Sequence, residues 1–252
     1  MLFMRDLLDD EDVPIGTFVK IPAVETLEIL KLAGFDFVII DFEHAPLTLA
    51  DVNHMVLVAR SIDLVPIVRV PDHGYGDVQR ILDAGAAGIL IPHVSTAEQC
   101  RTVMRQALHP PYGTRGAGGG MRAGDWGMTA TGRASYASNG RDKVVRIPMI
   151  EEKDAIPHAE EILAVEGVDA VFIGPGDLSM TMGARMTDEP VQQAIETVFQ
   201  VAKKRGVPVG SVAGDAAGAR RLVDRGYDFV LVSNDTGMLG RTASTLISEI
   251  RA

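Results

Sequence analysis

The sequence of 252 residues predicts an α/β protein with a single domain over residues 1–252, folded as a (β/α)8 barrel, or TIM barrel. Short apolar, β-branched runs recur along the chain and alternate with longer amphipathic stretches. The runs are continuously apolar, which is typical of parallel strands buried on both faces. The chain also has the usual length of such a barrel, about 250 residues. A doubly wound parallel sheet is the alternative that the same pattern allows.

Eight runs are predicted as strands: Ile15–Ile21, Phe37–Asp41, Pro66–Val70, Gly88–Pro92, Val144–Ile150, Ala170–Ile173, Pro208–Val212 and Asp228–Ser233. Helical patterns such as VETLEILKLAG and TAEQCRTVMRQAL lie between them. In ILDAGAAGILI and LVDRGYDFVLV a helix ends at glycine and a strand follows within about three residues. Eight strand–helix units favour a closed barrel, whose active site lies at the carboxyl ends of the strands.

One segment interrupts this alternation. Residues 109–143 are rich in Gly and Arg and include the only tryptophan, Trp126. We predict a long irregular insertion, because segments of this kind in compact domains usually cover a functional site or move. The stretch GAGGGM is not interpreted as a dinucleotide-binding loop, since it follows HPPYGTR rather than a strand.

Composition narrows the choice of partners. The net charge of -10 repels phosphate backbones, so we expect no nucleic acid partner. No apolar run reaches about 18 residues, and the acidic N-terminus does not resemble a signal peptide, so we expect no membrane partner. The lone Cys100 cannot form an internal disulfide and is predicted to be buried. Together these features predict a soluble cytoplasmic protein.

Polar residues follow several predicted strands directly. Asp41, Glu43 and His44 follow the second strand, and Arg69 lies near the end of the third within VPIVRVP. An arginine in such a run is costly to bury without a carboxylate or an anionic ligand. The alternative interpretation of the DFEH stretch is a solvated loop. Because strand ends converge in a barrel, we favour a cluster that transfers protons or binds a metal.

Two carboxylates follow neighbouring strands. Glu151 ends the fifth strand, and Asp177 follows the sixth within GPGDLS. Together they could hold a divalent cation, and oxygen ligands favour Mg²⁺ or Mn²⁺. The alternative is that Glu151 only stabilises the start of the next helix. GPGDLS, which contains Gly176 and Ser179, is predicted to be a tight turn whose free N–H groups suit a carboxylate.

Together, IGTFVK, AGFDFVIIDFEHAPL, PIVRVP, PPYGTRG, MIEE and FIGPGDLSMTMG resemble the HpcH/HpaI family of class II pyruvate aldolases. The resemblance runs from Ile15 to about Leu239, and DFEHAP and FIGPGDLS are its most specific parts. It implies a barrel of the phosphoenolpyruvate/pyruvate type. The expected enzyme is an aldehyde-lyase that uses Mg²⁺, Mn²⁺ or Co²⁺. It would reversibly cleave a 4-hydroxy-2-oxo acid to pyruvate, or hydroxypyruvate, and an aldehyde.

The resemblance also implies roles for individual residues. Glu151 and Asp177 would hold the metal. His44 would transfer protons with Asp41 as its partner, and Arg69 would hold the keto oxygen. The implied substrate-binding residues are Arg69, His93, Met149, Gly176, Asp177 and Ser179.

Three positions depart from the family pattern and leave the substrate open. Met149 stands where members that cleave long dicarboxylic substrates carry Gln, and Met cannot donate the hydrogen bond that Gln would. His93 lies at a position that is usually apolar. Lys20 ends the first strand where small or apolar residues are common.

Three other functions remain open at the level of sequence. A Schiff-base aldolase needs a lysine at a strand end, and Lys20 is its only candidate. A phosphosugar isomerase would bind phosphate at SVAGDAAGA and SNDTG. A barrel that binds an oxo acid without catalysis is the third.

The last expectation concerns assembly. The insertion carries side chains suited to an interface, namely Tyr112, Arg115, Arg122, Trp126 and Tyr136. The apolar C-terminal stretch MLGRTASTLISEI also needs a surface to cover. In the family that the sequence resembles, the C-terminal helix packs on a neighbouring subunit. We therefore expect a homo-oligomer, a hexamer built as a trimer of dimers. A monomer whose insertion folds over its own barrel is the alternative.

Overall fold

Eight parallel strands close into a barrel in which each strand pairs with its neighbours in sequence. The structure, a computed structural model, describes residues 2–118 and 120–252. The strands are Ile15–Val19 (β1), Phe37–Asp41 (β2), Val65–Arg69 (β3), Gly88–Ile91 (β4), Val145–Ile150 (β5), Val171–Ile173 (β6), Val209–Ala213 (β7) and Phe229–Asn234 (β8). The predicted (β/α)8 barrel is confirmed, and the doubly wound alternative is wrong.

Helices connect the strands and surround the barrel. They are Met4–Leu8 (α1), Val24–Leu32 (α2), Leu49–Ser61 (α3), Tyr75–Asp83 (α4), Ala97–Ala107 (α5), Ala130–Asp142 (α6), Ala159–Leu163 (α7), Pro175–Thr181 (α8), Glu189–Arg205 (α9), Ala216–Arg225 (α10) and Asp235–Arg251 (α11). Two 3-10 helices span Arg122–Gly127 and Lys153–His158. Within the described part of the chain, no helix combines the length and apolar character needed to cross a membrane.

The insertion is more regular than predicted. Its second half forms α6, whose start is capped by Thr129, with Oγ1 accepting a hydrogen bond from the Gly132 N–H at 2.8 Å. The small residues of this helix give no apolar periodicity, so the pattern could not reveal it. Arg115 is buried and donates to Asp83 Oδ1 at 2.6 Å, so it anchors the insertion internally instead of facing a partner. Trp126 remains exposed.

GPGDLS is also not the tight turn that was predicted. It forms the short helix α8, with Pro175 at its first position, where the missing N–H has no consequence. The helix follows β6 after only Gly174. Asp177 therefore lies in the first helical turn, close to the strand end.

The interior of the barrel is filled by large side chains and sealed at its N-terminal end. Phe37 and Phe229 contact each other edge to face, with ring centroids 6.2 Å apart. Met4 of α1 is fully buried in the same cluster, so this helix closes the end of the barrel opposite the strand carboxyl ends. Gly210 in β7 provides the space for the Phe229 ring, because a Cβ there would lie 2.2 Å from a ring carbon.

We therefore expect Gly210→Ala to lower the free energy of unfolding by about 1–3 kcal/mol, the usual cost of overpacking a core. Gly76→Ala is the matched control, since a Cβ at Gly76 has nothing within 4 Å. Urea unfolding followed by circular dichroism measures both variants. Adding Phe229→Leu should recover part of the loss in the Gly210→Ala background. Equal stability of the two glycine variants would show that the close approach of Gly210 to the Phe229 ring does not restrict the residue at position 210.

Candidate active site

A cavity of about 450 Å³ opens at the carboxyl ends of the strands. Its volume lies within the range of pockets that bind whole small molecules, about 300–1,000 Å³. Its walls include Phe18, Lys20, His44, Arg69, Met149, Glu151, Phe172, Gly176, Asp177, Met186, Ser233, Asn234 and Arg241. Most of the residues predicted for the site therefore share one cavity, at the end of the barrel where this fold carries chemistry.

A buried arginine–carboxylate pair crosses from β3 to β2. Asp41 and Arg69 stand opposite each other in the parallel register. Arg69 Nε and Nη2 donate to the two Asp41 oxygens at 2.9 and 2.7 Å, and Lys20 Nζ lies 2.9 Å from Asp41 Oδ2. Burial alone would raise the pKa of Asp41, but these cations lower it to about 2. Asp41 is therefore a permanent anion that fixes the Arg69 guanidinium.

The predicted pairing of Asp41 with the His44 imidazole is not found. Asp41 Oδ1 accepts from the His44 backbone N–H at 3.1 Å. The carboxylate near the ring is Glu43, with its Oε2 3.6 Å from His44 Nε2. Both Asp41 oxygens already accept hydrogen bonds from Arg69, and Lys20 lies beside one of them. The chain turns after β2, and this turn brings the Glu43 carboxylate towards the His44 ring. His44 lines the cavity, and about half of its side chain is exposed.

Glu43 connects the two histidines and the arginine. Its Oε2 lies 3.1 Å from Arg69 Nη1, and its Oε1 lies 3.1 Å from His93 Nε2. The other ring nitrogen of His93, Nδ1, lies 3.1 Å from Glu152 Oε1. Burial opposes the charge on His93, but the surrounding carboxylates outweigh it and raise its pKa. His93 does not line the cavity, so the structure places it beside the site as a bridge between carboxylates.

Glu151 is buried at the cavity wall with one oxygen unmatched. Its Oε1 accepts from the His93 backbone N–H at 2.9 Å, while its Oε2 is buried and has no hydrogen-bond partner. Burial, together with the negative charges of Asp177 and Glu43, raises the pKa of Glu151 to about 7, although His93 opposes the shift. Gly174 makes room for the carboxylate, because a Cβ there would lie 2.8 Å from Oε2.

The remaining predicted residues divide into two groups. Met149, Gly176 and Asp177 line the cavity, and Met149 packs against Phe172 in the barrel interior. Ser179 does not line it: its hydroxyl donates to the Gly176 carbonyl at 2.7 Å within α8, and the residue is buried. The structure thus gives Ser179 a role inside its own helix instead of a contact with substrate.

The oxygen atoms present fit a divalent cation. A buried carboxylate oxygen without a partner, beside a second carboxylate, is an arrangement that a hard cation stabilises. Over residues 2–118 and 120–252, no group of three or more His, Cys, Asp or Glu side chains is spaced to hold a metal. Glu151 and Asp177 would therefore supply two ligands, and water or a bound oxo acid would complete the set.

Sequence analysis did not identify Arg241 or Met186 as cavity residues. Arg241 belongs to α11 and donates from Nη2 to the Ser233 hydroxyl at 2.7 Å. Nothing in the local pattern MLGRTAS marks this arginine. The signal available was positional, because Arg241 follows the end of β8 by about two helical turns, within reach of the barrel mouth.

After β7 and β8, side chains of the chain itself cap the starts of the next helices, α10 and α11. Asp215 accepts from the Gly218 N–H and Asn234 accepts from the Gly237 N–H, both at 2.7 Å. A phosphate at either helix start would compete with these caps. The phosphosugar alternative is therefore not favoured.

These features define an enzyme of the (β/α)8 barrel class whose site combines a fixed arginine with two carboxylates and a half-exposed imidazole. The chain matches the family described as HpcH/HpaI aldolase/citrate lyase over residues 15–241, and it belongs to that family. It is 34% identical to the 2-dehydro-3,6-dideoxy-6-sulfogluconate aldolase of Pseudomonas putida, over 97% of this chain and 95% of that protein.

Two further similarities agree with this assignment. The 2-keto-3-deoxy-L-rhamnonate aldolase of Escherichia coli K12 is 34% identical over 92% of this chain and 86% of its own length. The crystal structure of an HpcH/HpaI aldolase from Desulfitobacterium hafniense DCB-2 superposes with a TM-score of 0.93, at 32% identity over 100% of this chain and 97% of that one. The protein is thus a lyase of the aldolase type.

The raised pKa of Glu151 predicts that the stability of the protein, once a chelator has removed divalent cations, depends on pH. The folded pKa of about 7 exceeds the usual 4.5, so protonated Glu151 contributes stability that is complete below pH 4.5 and lost as pH rises through 7. Glu151→Gln mimics the protonated form. It should therefore stabilise the protein at pH 8 by roughly 1–3 kcal/mol and much less at pH 5.

Chemical denaturation at both pH values measures this difference. Glu28→Gln, which changes an exposed residue, is the control. It should have a small effect on stability, and the effect should be the same at the two pH values. A Glu151→Gln gain that is independent of pH, or a loss at pH 8, would contradict the raised pKa.

Proposed function

We propose that this protein is a metal-dependent aldolase that reversibly cleaves a 4-hydroxy-2-oxo acid to pyruvate, or hydroxypyruvate, and an aldehyde. The observation that carries the proposal is the buried Glu151 Oε2, which lacks a partner in a cavity that also contains the Arg69 guanidinium. A retro-aldol cleavage needs positive charge where an enolate oxygen develops and a base at the C4 hydroxyl. The cavity offers residues suited to both tasks.

Glu151 and Asp177 would hold the cation, Mg²⁺, Mn²⁺ or Co²⁺. When bound, such a cation supplies Lewis acidity toward a 2-oxo acid. Binding also requires Glu151 to be ionised, and a neighbouring positive charge favours that form. The raised pKa of Glu151 is thus consistent with a carboxylate whose natural partner is a cation.

Arg69 would stabilise the negative charge that develops on the keto oxygen. Its guanidinium is held by Asp41 through two hydrogen bonds and lies over the Phe18 ring, 4.8 Å from the centroid. A donor fixed in this way needs no reorganisation as charge develops. Asp41 would therefore act through Arg69, in place of the partnership with His44 that the family resemblance implied.

His44 would take the proton from the C4 hydroxyl and return it in the aldol direction. Its imidazole lines the cavity, and its partly exposed position leaves it free to approach substrate. Glu43 stands 3.6 Å from His44 Nε2 and would stabilise the imidazolium formed by proton transfer. The Arg69 contact of Glu43 holds that carboxylate in place.

The Schiff-base alternative is not favoured by the position of Lys20. Its Nζ lies 2.9 Å from Asp41 Oδ2, in an ion pair with a carboxylate whose pKa is lowered to about 2. Imine formation requires a free, neutral amine. Lys20 instead completes the set of cations around Asp41.

The proposed substrate class rests on the names of the relatives and on Met149 in the cavity wall. The relatives are named as aldolases of 2-dehydro-3-deoxy or 2-keto-3-deoxy sugar acids. We extend that class, with a hydroxyl at C4, to this chain. Met149 offers no strong hydrogen bond, so recognition of the oxo acid would depend on Arg69 and the metal carboxylates.

We also propose a homo-oligomer, a hexamer assembled as a trimer of dimers. Supporting this, α11 exposes a row of apolar side chains, namely Leu239, Leu246, Ile247 and Ile250. Asp235 at its first position is its only buried residue. A helix with so little cover from its own barrel is suited to packing on a neighbouring subunit.

The metal dependence gives the first test of activity. Chelation should abolish pyruvate release from a 4-hydroxy-2-oxo acid, and Mg²⁺ or Mn²⁺ should restore it. Glu151→Ala and Asp177→Ala should each lower kcat/KM by about 10²–10⁴-fold, since a lost cation removes several kcal/mol of charge stabilisation. Glu28→Ala is the surface control. Full activity after exhaustive chelation, or an adduct on Lys20 trapped with borohydride, would contradict the proposal.

The proton-transfer role of His44 gives the second test. His44→Ala should lower kcat by about 10²–10⁴-fold, the usual effect of losing a general base. His54→Ala, which removes an exposed histidine of α3, should retain activity. Steady-state kinetics measure both variants. If His44→Ala raised only KM, the imidazole would be binding substrate without transferring a proton.

A further inference from the structure

Arg241 extends over the cavity from the side of β8. Long side chains in a helix point back toward its N-terminus, and Arg241 follows that rule. Its Nη1 lies 3.4 Å from the position that a Cβ at Gly237 would take, so the guanidinium covers the first turn of α11. Its Nη2 donates to Ser233 Oγ at 2.7 Å, and Ser233 is buried. The guanidinium is thus held at the cavity by a neutral partner.

The charge on Arg241 lacks a carboxylate. Lys20 and Arg69, the other lysine or arginine side chains of the cavity wall, both pair with Asp41, at 2.9 and 2.7 Å. Arg241 forms no ion pair within 4.0 Å in the part of the chain that the structure describes. In a chain with a net charge of -10, such a cation at a binding cavity favours an anionic ligand.

The position of Arg241 separates this anion from the reacting end of the substrate. Glu151 and Asp177 follow β5 and β6, whereas Arg241 follows β8, with β7 between β6 and β8 in the barrel. The cavity wall also includes Met186 and Val212, which offer apolar contact but no charge. A ligand that contacts both the carboxylate pair and Arg241 across β7 would extend beyond the three carbons of the oxo acid.

We infer that Arg241 is a specificity-determining residue that binds a terminal anion on the aldehyde half of the substrate. The inference rests on the proposed function, since it assigns the oxo acid to the Glu151 side of the cavity. The preferred aldehydes are then short ones that end in a carboxylate, sulfonate or phosphate. Arg241 would donate one or two charge-assisted hydrogen bonds to that group while one N–H of Nη2 stays on the Ser233 hydroxyl.

Matched aldehyde pairs test this inference with pyruvate as the donor. Glyoxylate is compared with glycolaldehyde, and glyceraldehyde 3-phosphate with glyceraldehyde, so that the two kinds of anion are separated. The wild type should prefer the charged member of at least one pair. Arg241→Met should lower kcat/KM for that member by about 10–100-fold, the usual effect of losing a hydrogen bond to a charged group, and should barely affect the neutral one. Arg241→Lys should retain part of the preference.

Separate KM values, a control variant and a thermal shift distinguish anion binding by Arg241 from a structural role. The loss should fall on the KM for the aldehyde and leave the KM for pyruvate unchanged, whereas a merely structural role would change both. Arg251→Met, at the end of the same helix, is the control. Glycerol 3-phosphate, a non-reacting probe, should raise the Tm of the wild type more than glycerol does, and Arg241→Met should remove this difference.

The possible failures are distinct. Turnover of the neutral aldehydes without a gain for either charged partner contradicts the role of Arg241 and leaves the proposed function intact. Equal losses for charged and neutral aldehydes in Arg241→Met also contradict it. If no aldehyde reacts, the proposed function fails, and the thermal shift with glycerol 3-phosphate decides separately whether Arg241 binds an anion.

Discussion

The buried ion pair between Asp41 and Arg69 organises the mouth of the barrel. The two residues are register partners at the ends of adjacent parallel strands, so the barrel itself aligns their side chains. Asp41 also receives Lys20 from β1 and the backbone N–H of His44. One buried carboxylate thereby fixes three segments of chain. A buried pair of this kind is stable only when its remaining hydrogen-bonding atoms are also matched, which these contacts achieve.

Glu151 is the opposite case, although it is buried to a similar extent. It has a backbone donor on one oxygen, no partner on the other, and the negative charges of Asp177 and Glu43 nearby. The fold thus gives Asp41 a partner on both oxygens and leaves Glu151, which lines the cavity, with one oxygen unpartnered. Their pKa values move apart accordingly, to about 2 and about 7. Shifted pKa values in a cleft are typical of functional sites. Here the lowered pKa fits Asp41 as a support for Arg69, and the raised pKa fits Glu151 as a carboxylate that binds a cation.

The barrel and the residues at its strand ends were predictable because they follow from the periodicity of the chain. Continuous apolar runs gave all eight strands within two residues of their observed ends, and Arg69, Glu151 and Asp177 lie at the cavity as expected. Whether Asp41 or Glu43 faces His44 was not predictable, because it depends on how the chain turns after β2. Helix α6 was missed because its small residues give no apolar face.

The contrast between Arg69 and Arg241 shows how this fold separates chemistry from recognition. Arg69 projects from a strand, is almost fully buried, and is held by two carboxylates. Arg241 projects from an exposed helix and is held by one serine hydroxyl. Exchanging Arg69 would remove a cation from the two buried carboxylates of Asp41 and Glu43, whereas exchanging Arg241 leaves no buried charge behind. Substitution should therefore cost far less stability at Arg241 than at Arg69, so the residue that recognises the substrate can change without disturbing the buried ion pairs.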